Sequence, residues 1–255
     1  ATALPAGSFT CTITDANGCS TTASVIITQP AATLSASISA QTNVLCFGNS
    51  TGSATISASG GTGPYSYAWN STPAQNTATA SNLPAGSYTC TISDANGCSI
   101  TRNVTITQPA ATLSASISAQ TNVLCFGNST GSATINASGG TGPYSYAWNS
   151  TPAQNTATAS NLPAGSYTCT ISDANGCSIS RNVTITQPVA ALSASISAQT
   201  NVLCFGNSTG SATVSTAGGT APYTYAWNST PAQNAATATA LPAGSFTCTI
   251  TDANG

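Results

Sequence analysis

Cysteine is the residue type in this sequence with the widest range of chemistry, because its thiolate can attack an electrophile, bind a metal ion or form a disulfide bond. The 255-residue chain has ten cysteines, and they recur in sets of three, of which Cys46, Cys90 and Cys98 are the first complete one. Zinc binding explains them poorly, because the spacings lack paired C-x2-C knuckles and there is no histidine. We therefore predict disulfides in an oxidising compartment, and no metal site.

Few other side chains could do chemistry. The chain has four acidic and two basic residues and no histidine. Acid–base catalysis needs groups that titrate near the working pH, and a nucleophile needs an adjacent base, so we predict that the chain is not an enzyme and holds no cofactor. Without clustered Lys and Arg it should not bind nucleic acid. No apolar run reaches the roughly 18 residues that span a membrane.

One aspartate and a group of aromatic residues are the remaining candidate binding groups in each set. Asp94 could help to hold calcium, but a hard cation takes about six to eight oxygens and several carboxylates. We therefore interpret Asp94 as a turn residue. Trp69, with Tyr65 and Tyr67, could stack on a sugar ring. Their strict alternation favours instead a strand whose side chains face the core.

The sequence is dominated by internal repetition. Residues 31–109 recur as residues 110–188, a period of 79 residues, with two differences. A third copy covers residues 189–255, and residues 1–30 match the C-terminal part of a preceding copy. The three copies are called repeats 1, 2 and 3 below. The first 18 residues are identical to the last 18, an offset of three periods, so we expect a super-repeat of three domains and an array or polymer that continues in both directions.

Apolar residues within one repeat alternate with Ser and Thr at a period of two, as in residues 34–40, 54–58 and 88–92. Such segments are separated by turn-forming runs that are rich in Gly, Pro and Asn: CFGNSTG, GGTGP, NSTPAQN, LPAG and DANG. Short alternating strands with turns about every 8–12 residues predict an all-β fold, with one antiparallel sandwich in each 79-residue repeat.

The DANG turn also predicts a strand register. If residues 95–97 form a type I turn with a left-handed glycine bulge, Ile92 lies opposite Ile100 and both face the core. A two-residue turn would put the two isoleucines on opposite faces of the sheet. In the bulged register Cys90 and Cys98 share the inner face.

The LPAGSY segment at residues 83–88 has the pattern of a tyrosine corner, in which a tyrosine hydroxyl ties its strand to the preceding crossover. We assign this role to Tyr88 and Tyr167. Repeat 3 has Phe246 at this position and would lack the bond. The alternative is a plain core aromatic.

Six motifs distinguish the repeat: CFG at 46–48, GGTGPY at 60–65, Trp69, L-x-x-G-x-Y at 83–88, D-x-x-G-C at 94–98 and ITQP at 106–109. Together they resemble the SprB-type repeat, which builds very long cell-surface adhesins of gliding Bacteroidetes. The resemblance covers the whole repeat, hence the whole chain. It implies a secreted array of immunoglobulin-like (Ig-like) domains on the cell surface, used for attachment and gliding, without catalytic residues.

The resemblance also implies a disulfide pairing, Cys46 with Cys98 and Cys125 with Cys177. Each bond would close a loop of about fifty residues and contribute roughly 3–4 kcal/mol in the chain-entropy description. The chain departs from the family pattern at Cys90, where an aliphatic residue is more usual, and in the near-identity of its copies. Both departures favour a structural fibre over a diversified adhesin.

Two other pairings stay open from the residues themselves. Cys46–Cys90 would be the core bond of the Ig fold, whereas Cys19–Cys46 with Cys98–Cys125 would join neighbouring domains. Under the implied pairing one thiol per repeat is left over, either buried in the core or bonded to another chain. These thiols are Cys11, Cys90, Cys169 and Cys248.

The composition favours a passive, durable material. A formal charge of −2 over the whole chain gives little repulsion against lateral packing, and the Thr-Gln-Pro link between repeats is short and stiffened by proline. We predict a disulfide-stabilised structural protein that forms an extracellular filament or a cell-surface adhesin stalk and associates with its own copies. The alternative is a surface-binding module that recognises polysaccharide or another cell surface.

Overall fold

The computed structural model describes all 255 residues, and strands are its only regular secondary structure. The predicted all-β fold is therefore confirmed. It contains no helix with the length and apolar character needed to cross a membrane. The chain divides into two compact units, Ala1–Thr112 and Leu113–Gly255.

The first unit holds a hairpin of two strands followed by the six strands of repeat 1. The hairpin is β1 (Gly7–Thr14) and β2 (Ser20–Ile27). Repeat 1 consists of β3 (Ser35–Thr42), β4 (Gly52–Ser59), β5 (Ser66–Trp69), β6 (Thr79–Leu83), β7 (Gly86–Ser93) and β8 (Ser99–Ile106).

The second unit holds the six strands of repeat 2 and the five of repeat 3. Repeat 2 consists of β9 (Ser114–Thr121), β10 (Gly131–Ser138), β11 (Ser145–Trp148), β12 (Thr158–Leu162), β13 (Gly165–Ser172) and β14 (Ser178–Ile185). Repeat 3 consists of β15 (Ser193–Thr200), β16 (Gly210–Ala217), β17 (Thr224–Trp227), β18 (Thr237–Leu241) and β19 (Cys248–Thr251).

Each complete repeat is a sandwich of two antiparallel sheets. In repeat 1 the strand orders are β3-β4-β6 and β5-β7-β8, and repeat 2 has the same orders with its own strands. An Ig-like domain divides in the same way, because its strands A, B and E lie in one sheet and its strands C, F and G in the other. Repeat 3 has a three-stranded sheet and the pair β17-β19, with no counterpart of β8.

The core of repeat 1 lies between the two sheets and follows from the alternation in the sequence. Ile56 comes from β4, Ile92 from β7 and Ile106 from β8, and each is at most 2 % exposed. Trp69 fills the same core. The Ser and Thr between them face outward, so every second residue of these strands contributes to burial, at about 1.5–3 kcal/mol for a large aliphatic side chain.

The bulged register of the DANG turn is confirmed. Ile92 pairs with Ile100, and Gly97 has a φ of 81° while its N–H donates to the Asp94 carbonyl at 3.0 Å. Ile92 is fully buried and Ile100 packs at the margin of the core. The prediction that Cys98 shares the inner face is wrong, because its side chain is exposed. Cys98 precedes the first residue of β8 and lies in the turn itself, where the facing sheet does not cover it.

Candidate functional site

The first and last strands of repeat 1 run in the same direction, which fixes what lies at each end of the domain. The side chain of Arg102 donates to the Ala36 carbonyl, and Gln41 Nε2 donates to the Thr105 carbonyl at 2.8 Å. Residue numbers thus rise together along β3 and β8. The CFG turn that follows β3 consequently lies beside the ITQP segment that follows β8, at the C-terminal end of the domain.

Hydrogen bonds to the ITQP segment hold the CFG turn in place. The Val44 N–H donates to the Thr107 carbonyl at 2.9 Å, and the Gly48 N–H donates to Gln108 Oε1 at 2.8 Å. Leu45 and Phe47, on either side of the cysteine, are 50 % and 41 % exposed. The turn therefore presents a thiol position between two apolar side chains at the C-terminal end of the repeat.

The DANG turn lies at the opposite, N-terminal end of the domain. The Ala95 N–H donates to the Thr62 carbonyl at 2.8 Å, which ties the turn to the GGTGP loop. That loop also lies close to Leu34, just before β3 begins, because a Cβ added to Gly61 would be 3.3 Å from Leu34 Cβ. The same Cβ would come within 2.6 Å of Asp94 Oδ2. The GGTGP loop therefore needs glycine at this position to approach the DANG turn so closely.

Asp94 organises the DANG turn through its carboxylate. Oδ2 accepts from the Thr62 N–H at 3.0 Å, while Oδ1 accepts from the N–H groups of Asn96 and Cys98 at 3.0 and 2.9 Å. The hydrogen bond from Thr62 lowers the pKa of Asp94 against the opposing effect of burial, and the N–H groups of Cys98 and Asn96 lower it further. The predicted role of Asp94 as a turn residue is confirmed. No group of three potential metal ligands exists in the chain.

The structure does not contain the disulfide pairing that the resemblance implied. Cys46 and Cys177 are disulfide-bonded, whereas Cys98 and Cys125 are exposed free thiols. Cys46 lies past the C-terminal end of β8 and Cys98 precedes its N-terminal end. Eight residues of strand separate these ends by about 26 Å, far more than the roughly 7 Å between Cα atoms that a disulfide tolerates. Cys125 and Cys177 are separated in the same way in repeat 2.

Neither of the other two pairings forms. Cys19 is an exposed free thiol and Cys90 a buried one, so Cys46 is bonded to neither. Sequence reasoning missed the direction of β3 relative to β8. The sequence contained the information needed to predict this direction. The CFG turn follows the first strand and the ITQP segment follows the last, and these two strands run parallel in an Ig-like sandwich.

The cysteine in the middle of each complete repeat is a core residue. Cys90 and Cys169 are completely buried, and burial raises the pKa of both thiols against the opposing effect of a backbone hydrogen bond. These two therefore act as small apolar side chains. Their counterparts outside a complete sandwich are less covered, since Cys11 is exposed and Cys248 half-buried.

The aromatic side chains serve the fold. The Tyr88 hydroxyl donates to the Pro84 carbonyl at 2.9 Å, and that of Tyr167 donates to Pro163 at the same distance, which is the geometry of a tyrosine corner. Trp69 is 3 % exposed and its Nε1 donates to the Thr77 carbonyl at 2.9 Å. The indole therefore has no free face on which a sugar could stack.

A shallow groove of about 380 Å³ lies beside the tyrosine corner of repeat 1. Several of its polar side chains have partners within the repeat. Ser71 donates to the Pro73 carbonyl at 2.8 Å, and the Gln75 amide makes two hydrogen bonds with the backbone of Ser81. These bonds engage the Ser71 hydroxyl and the Gln75 amide within the repeat.

A comparison with protein families gives three matches, each to the SprB repeat, at residues 38–73, 117–152 and 196–231. The SprB-repeat model therefore matches this chain three times in tandem. The matches are one period apart, and each begins in the first strand of a repeat and ends in the loop after its Trp. Among curated proteins, no sequence matches this chain.

Three of the solved structures that are similar to this chain contain several domains each. Three N-terminal domains of the bacteriophage RB49 highly immunogenic outer capsid protein share 14% identity, with a TM-score of 0.36 over 78% of this chain and 75% of theirs. A tetra-tandem repeat from the extending region of a large adhesion protein shares 17% identity, with a TM-score of 0.28 over 96% and 73%. Eight Ig domains of the Down Syndrome Cell Adhesion Molecule share 12%, with a TM-score of 0.28 over 98% and 50%.

Proposed function

We propose that these SprB repeats form an extracellular structural element, a filament or a cell-surface adhesin stalk, whose task is reach and durability. The observation that carries this proposal is the placement of the DANG and CFG turns at opposite ends of each Ig-like repeat. The chain enters a repeat at one end and leaves it at the other, so that consecutive repeats add length. Seven residues, 186–192, connect β14 of repeat 2 to β15 of repeat 3, which leaves little slack at the junction.

The outer faces of the sheets support a structural role. Hydroxyl groups pair across strands, with Ser35 Oγ and Ser59 Oγ 2.8 Å apart and Thr55 Oγ1 and Thr79 Oγ1 2.9 Å apart. Cross-strand pairs of this kind stabilise a sheet without ion pairs. An uncharged hydroxyl surface can approach a second copy at little electrostatic cost.

The edges of the sandwiches support self-association. Strands β3, β9 and β15 are each at the edge of a sheet and carry a partly exposed isoleucine: Ile38 at 43%, Ile117 at 42% and Ile196 at 56%. Side-chain bridges between β3 and β8, such as that from Arg102, occupy part of the edge of β3. The exposed isoleucine offers an apolar contact to another strand or sheet on the remaining part. We therefore assign lateral contacts between copies to these edges.

The location outside the cell rests on the cysteines and on the family. Disulfide-bonded cysteines persist in oxidising compartments, and Cys46 and Cys177 are bonded. The resemblance of the sequence to the SprB repeat implies a surface adhesin. Both observations support a secreted protein that is retained at the cell surface.

The test is electron microscopy of the native, unreduced protein, together with sedimentation and retention on a polysaccharide matrix. A structural element pellets as filaments or bundles with an axial period of one or three repeats. A binding module stays a dispersed monomer and is retained on the matrix, and that result would overturn the proposal. The buried Trp69 described above makes retention the less expected outcome.

A further inference from the structure

The segment 186–192, which connects repeat 2 to repeat 3, is held from both sides. Gln187 Oε1 accepts from the Gly127 N–H, in the CFG turn of repeat 2, at 2.9 Å. A few residues further on, the Ala190 carbonyl accepts from the Gly219 N–H of repeat 3, also at 2.9 Å. Two residues lie between these attachments, so the connection has little length in which to bend.

The two repeats, which belong to the same compact unit, also touch directly. Asn254, in the DANG turn of repeat 3, donates from Nδ2 to the Leu124 carbonyl of repeat 2 at 2.9 Å. Phe126, on the other side of the CFG cysteine, lines a cavity of about 400 Å³ together with Leu192 and Ile250 of repeat 3. The CFG turn of repeat 2 thus provides both a hydrogen-bond acceptor and an apolar surface to the repeat that follows it.

The amide of Asn254 joins two repeats at once. Its Nδ2 also donates to Thr220 Oγ1, within repeat 3, at 2.9 Å, and an amide nitrogen has two hydrogens to donate. Asn96 makes the same internal bond in repeat 1, to Thr62 Oγ1 at 2.9 Å. The internal bond therefore belongs to the DANG turn itself, and the bond to Leu124 is an additional one that links neighbouring repeats.

We propose that this contact is a specific interface that fixes the orientation of repeat 3 on repeat 2, and that the amide of Asn254 specifies it. The partner that fits the CFG turn is a DANG turn, which offers an N–H to a backbone carbonyl beside an apolar edge. The inference rests on the structural role proposed above for its purpose, because a fixed junction lets two repeats bear load as one segment.

The substitution Asn254→Asp tests the interface and preserves the internal bond of the turn. A hydroxyl can donate as well as accept, so Thr220 can still bond to the new carboxylate, whereas the Leu124 carbonyl has no hydrogen to donate. The loss of this one hydrogen bond should shift the junction about 2- to 10-fold toward an undocked form. The matched control is Asn96→Asp, which introduces the same charge into the DANG turn of repeat 1.

Two rates measured on the full-length chain report docking. Cys125 lies in the junction cavity and is a free thiol, so its alkylation under native conditions follows undocking. Hydrogen exchange at the Gly219 N–H follows release of the connecting segment. Mass spectrometry distinguishes Cys125 from Cys46 in peptides that extend to Asn136, where repeat 1 has serine.

We expect Asn254→Asp to raise both rates about 2- to 10-fold and Asn96→Asp to leave both unchanged. Unchanged rates in Asn254→Asp would overturn the proposal, because the amide would then not hold the two repeats together. An equal rise in both variants would overturn it as well, since the added charge and not the lost bond would be responsible.

A change on the other side of the interface decides the case in which Asn254→Asp unfolds repeat 3, which faster exchange in β16 and β18 would reveal. Phe126→Ala leaves the DANG turn of repeat 3 intact and removes the apolar part of the contact. It should speed exchange at Gly219 while exchange in β16 and β18 stays slow. The control Phe47→Ala removes the corresponding side chain of repeat 1 and should leave Gly219 unchanged.

Exchange at Gly219 that does not respond to Phe126→Ala would overturn the interface. All rates are measured on chains that sedimentation shows to be dispersed, so the result does not depend on filament formation. Repeats that are coupled in a chain that never forms filaments would contradict the proposed function alone, and uncoupled repeats in a chain that does form them would contradict the interface alone.

Discussion

Repeats 1 and 3 are built from the same kind of sequence, yet they differ greatly in how much of their core is closed. Repeat 1 has eleven buried core residues and repeat 3 has four. Val44 is 2 % exposed in repeat 1, whereas its counterpart Val202 is only partly buried. The given sequence ends at Gly255, before the residues that would correspond to β8, so repeat 3 lacks the strand that pairs with β7 in repeat 1.

The comparison shows that the last strand does two things. It adds aliphatic side chains to the core, and it provides the acceptors that hold the CFG turn. Phe47 is 41 % exposed in repeat 1, but its counterpart Phe205 is completely exposed. The structure of the C-terminal end of a repeat, including the position of the CFG cysteine, therefore depends on the last strand of the repeat.

The largest effect should come from making repeat 1 resemble repeat 3. Ile106→Ala removes a side chain that is 1 % exposed, and we expect the free energy of unfolding of repeat 1 to fall by about 2–4 kcal/mol. Hydrogen exchange of β4 measures this loss. Repeat 2 of the same molecule is an internal reference, because Ser57 of β4 is replaced by Asn136 in β10 and the two peptides differ in mass.

The matched control for that change is Thr105→Ala, an exposed position on the same strand. It should leave exchange in β4 unchanged to within about 0.5 kcal/mol. Equal exchange in β4 for Ile106→Ala and the unchanged chain would show that β8 does not close the core, and that the difference between repeats 1 and 3 has another cause.

The second prediction concerns the DANG turn, which repeats 1 and 3 share. Asp94→Asn should destabilise repeat 1 at neutral pH, because a neutral amide accepts the three N–H groups less strongly than a carboxylate does. The folded-state pKa of Asp94 is lowered. Its stabilisation is therefore complete above the ordinary Asp value of about 3.9 and is lost as the pH falls through the lower folded-state value.

Thermal unfolding at neutral pH and near pH 2 checks this sign. The wild type and Asp94→Asn should differ most at neutral pH and converge in acid. The counterpart Asp252 accepts from the Thr220 N–H at 2.8 Å, so Asp252→Asn should also destabilise repeat 3 at neutral pH. A difference that grows in acid would contradict the assigned role.

These two regions show what the sequence could and could not predict. The period of two and the glycine of the DANG turn determine the pairing of Ile92 with Ile100, because both act over a few residues. The separation of Cys46 from Cys98 depends on how the two sheets stack, which no local pattern contains. Cys98 was misplaced for a related reason, since strand parity does not extend into a turn.

A smaller effect should come from the tyrosine corner. Tyr88→Phe copies into repeat 1 the residue that repeat 3 has at position 246. It removes one hydrogen bond at a half-buried site, which is worth about 0.5–1.5 kcal/mol. Urea unfolding followed by exchange in β7 measures the loss. Phe246→Tyr is the reciprocal change in repeat 3. If Tyr88→Phe lowers the stability of repeat 1 by more than one hydrogen bond contributes, the hydroxyl has a second role.

The smallest effect should come from salt. A chain with a formal charge of −2 has few ionic contacts to screen. Raising NaCl from about 0.05 to 1 M should move the melting temperature of repeats 1 and 3 alike, by no more than about 2 °C. A strong shift confined to one repeat would reveal an electrostatic difference between them that the structure does not show.

The parallel course of β3 and β8 has a mechanical consequence. A pulling force along the chain would act on opposite ends of each repeat, so that β3 and β8 would have to slide past one another along their length. The contacts from Gln41 to Thr105 and from Val44 to Thr107 would then bear the load together instead of opening one after another. Shear of this kind resists tension far better than peeling does, and we expect single repeats to unfold abruptly, at high force, in a pulling experiment.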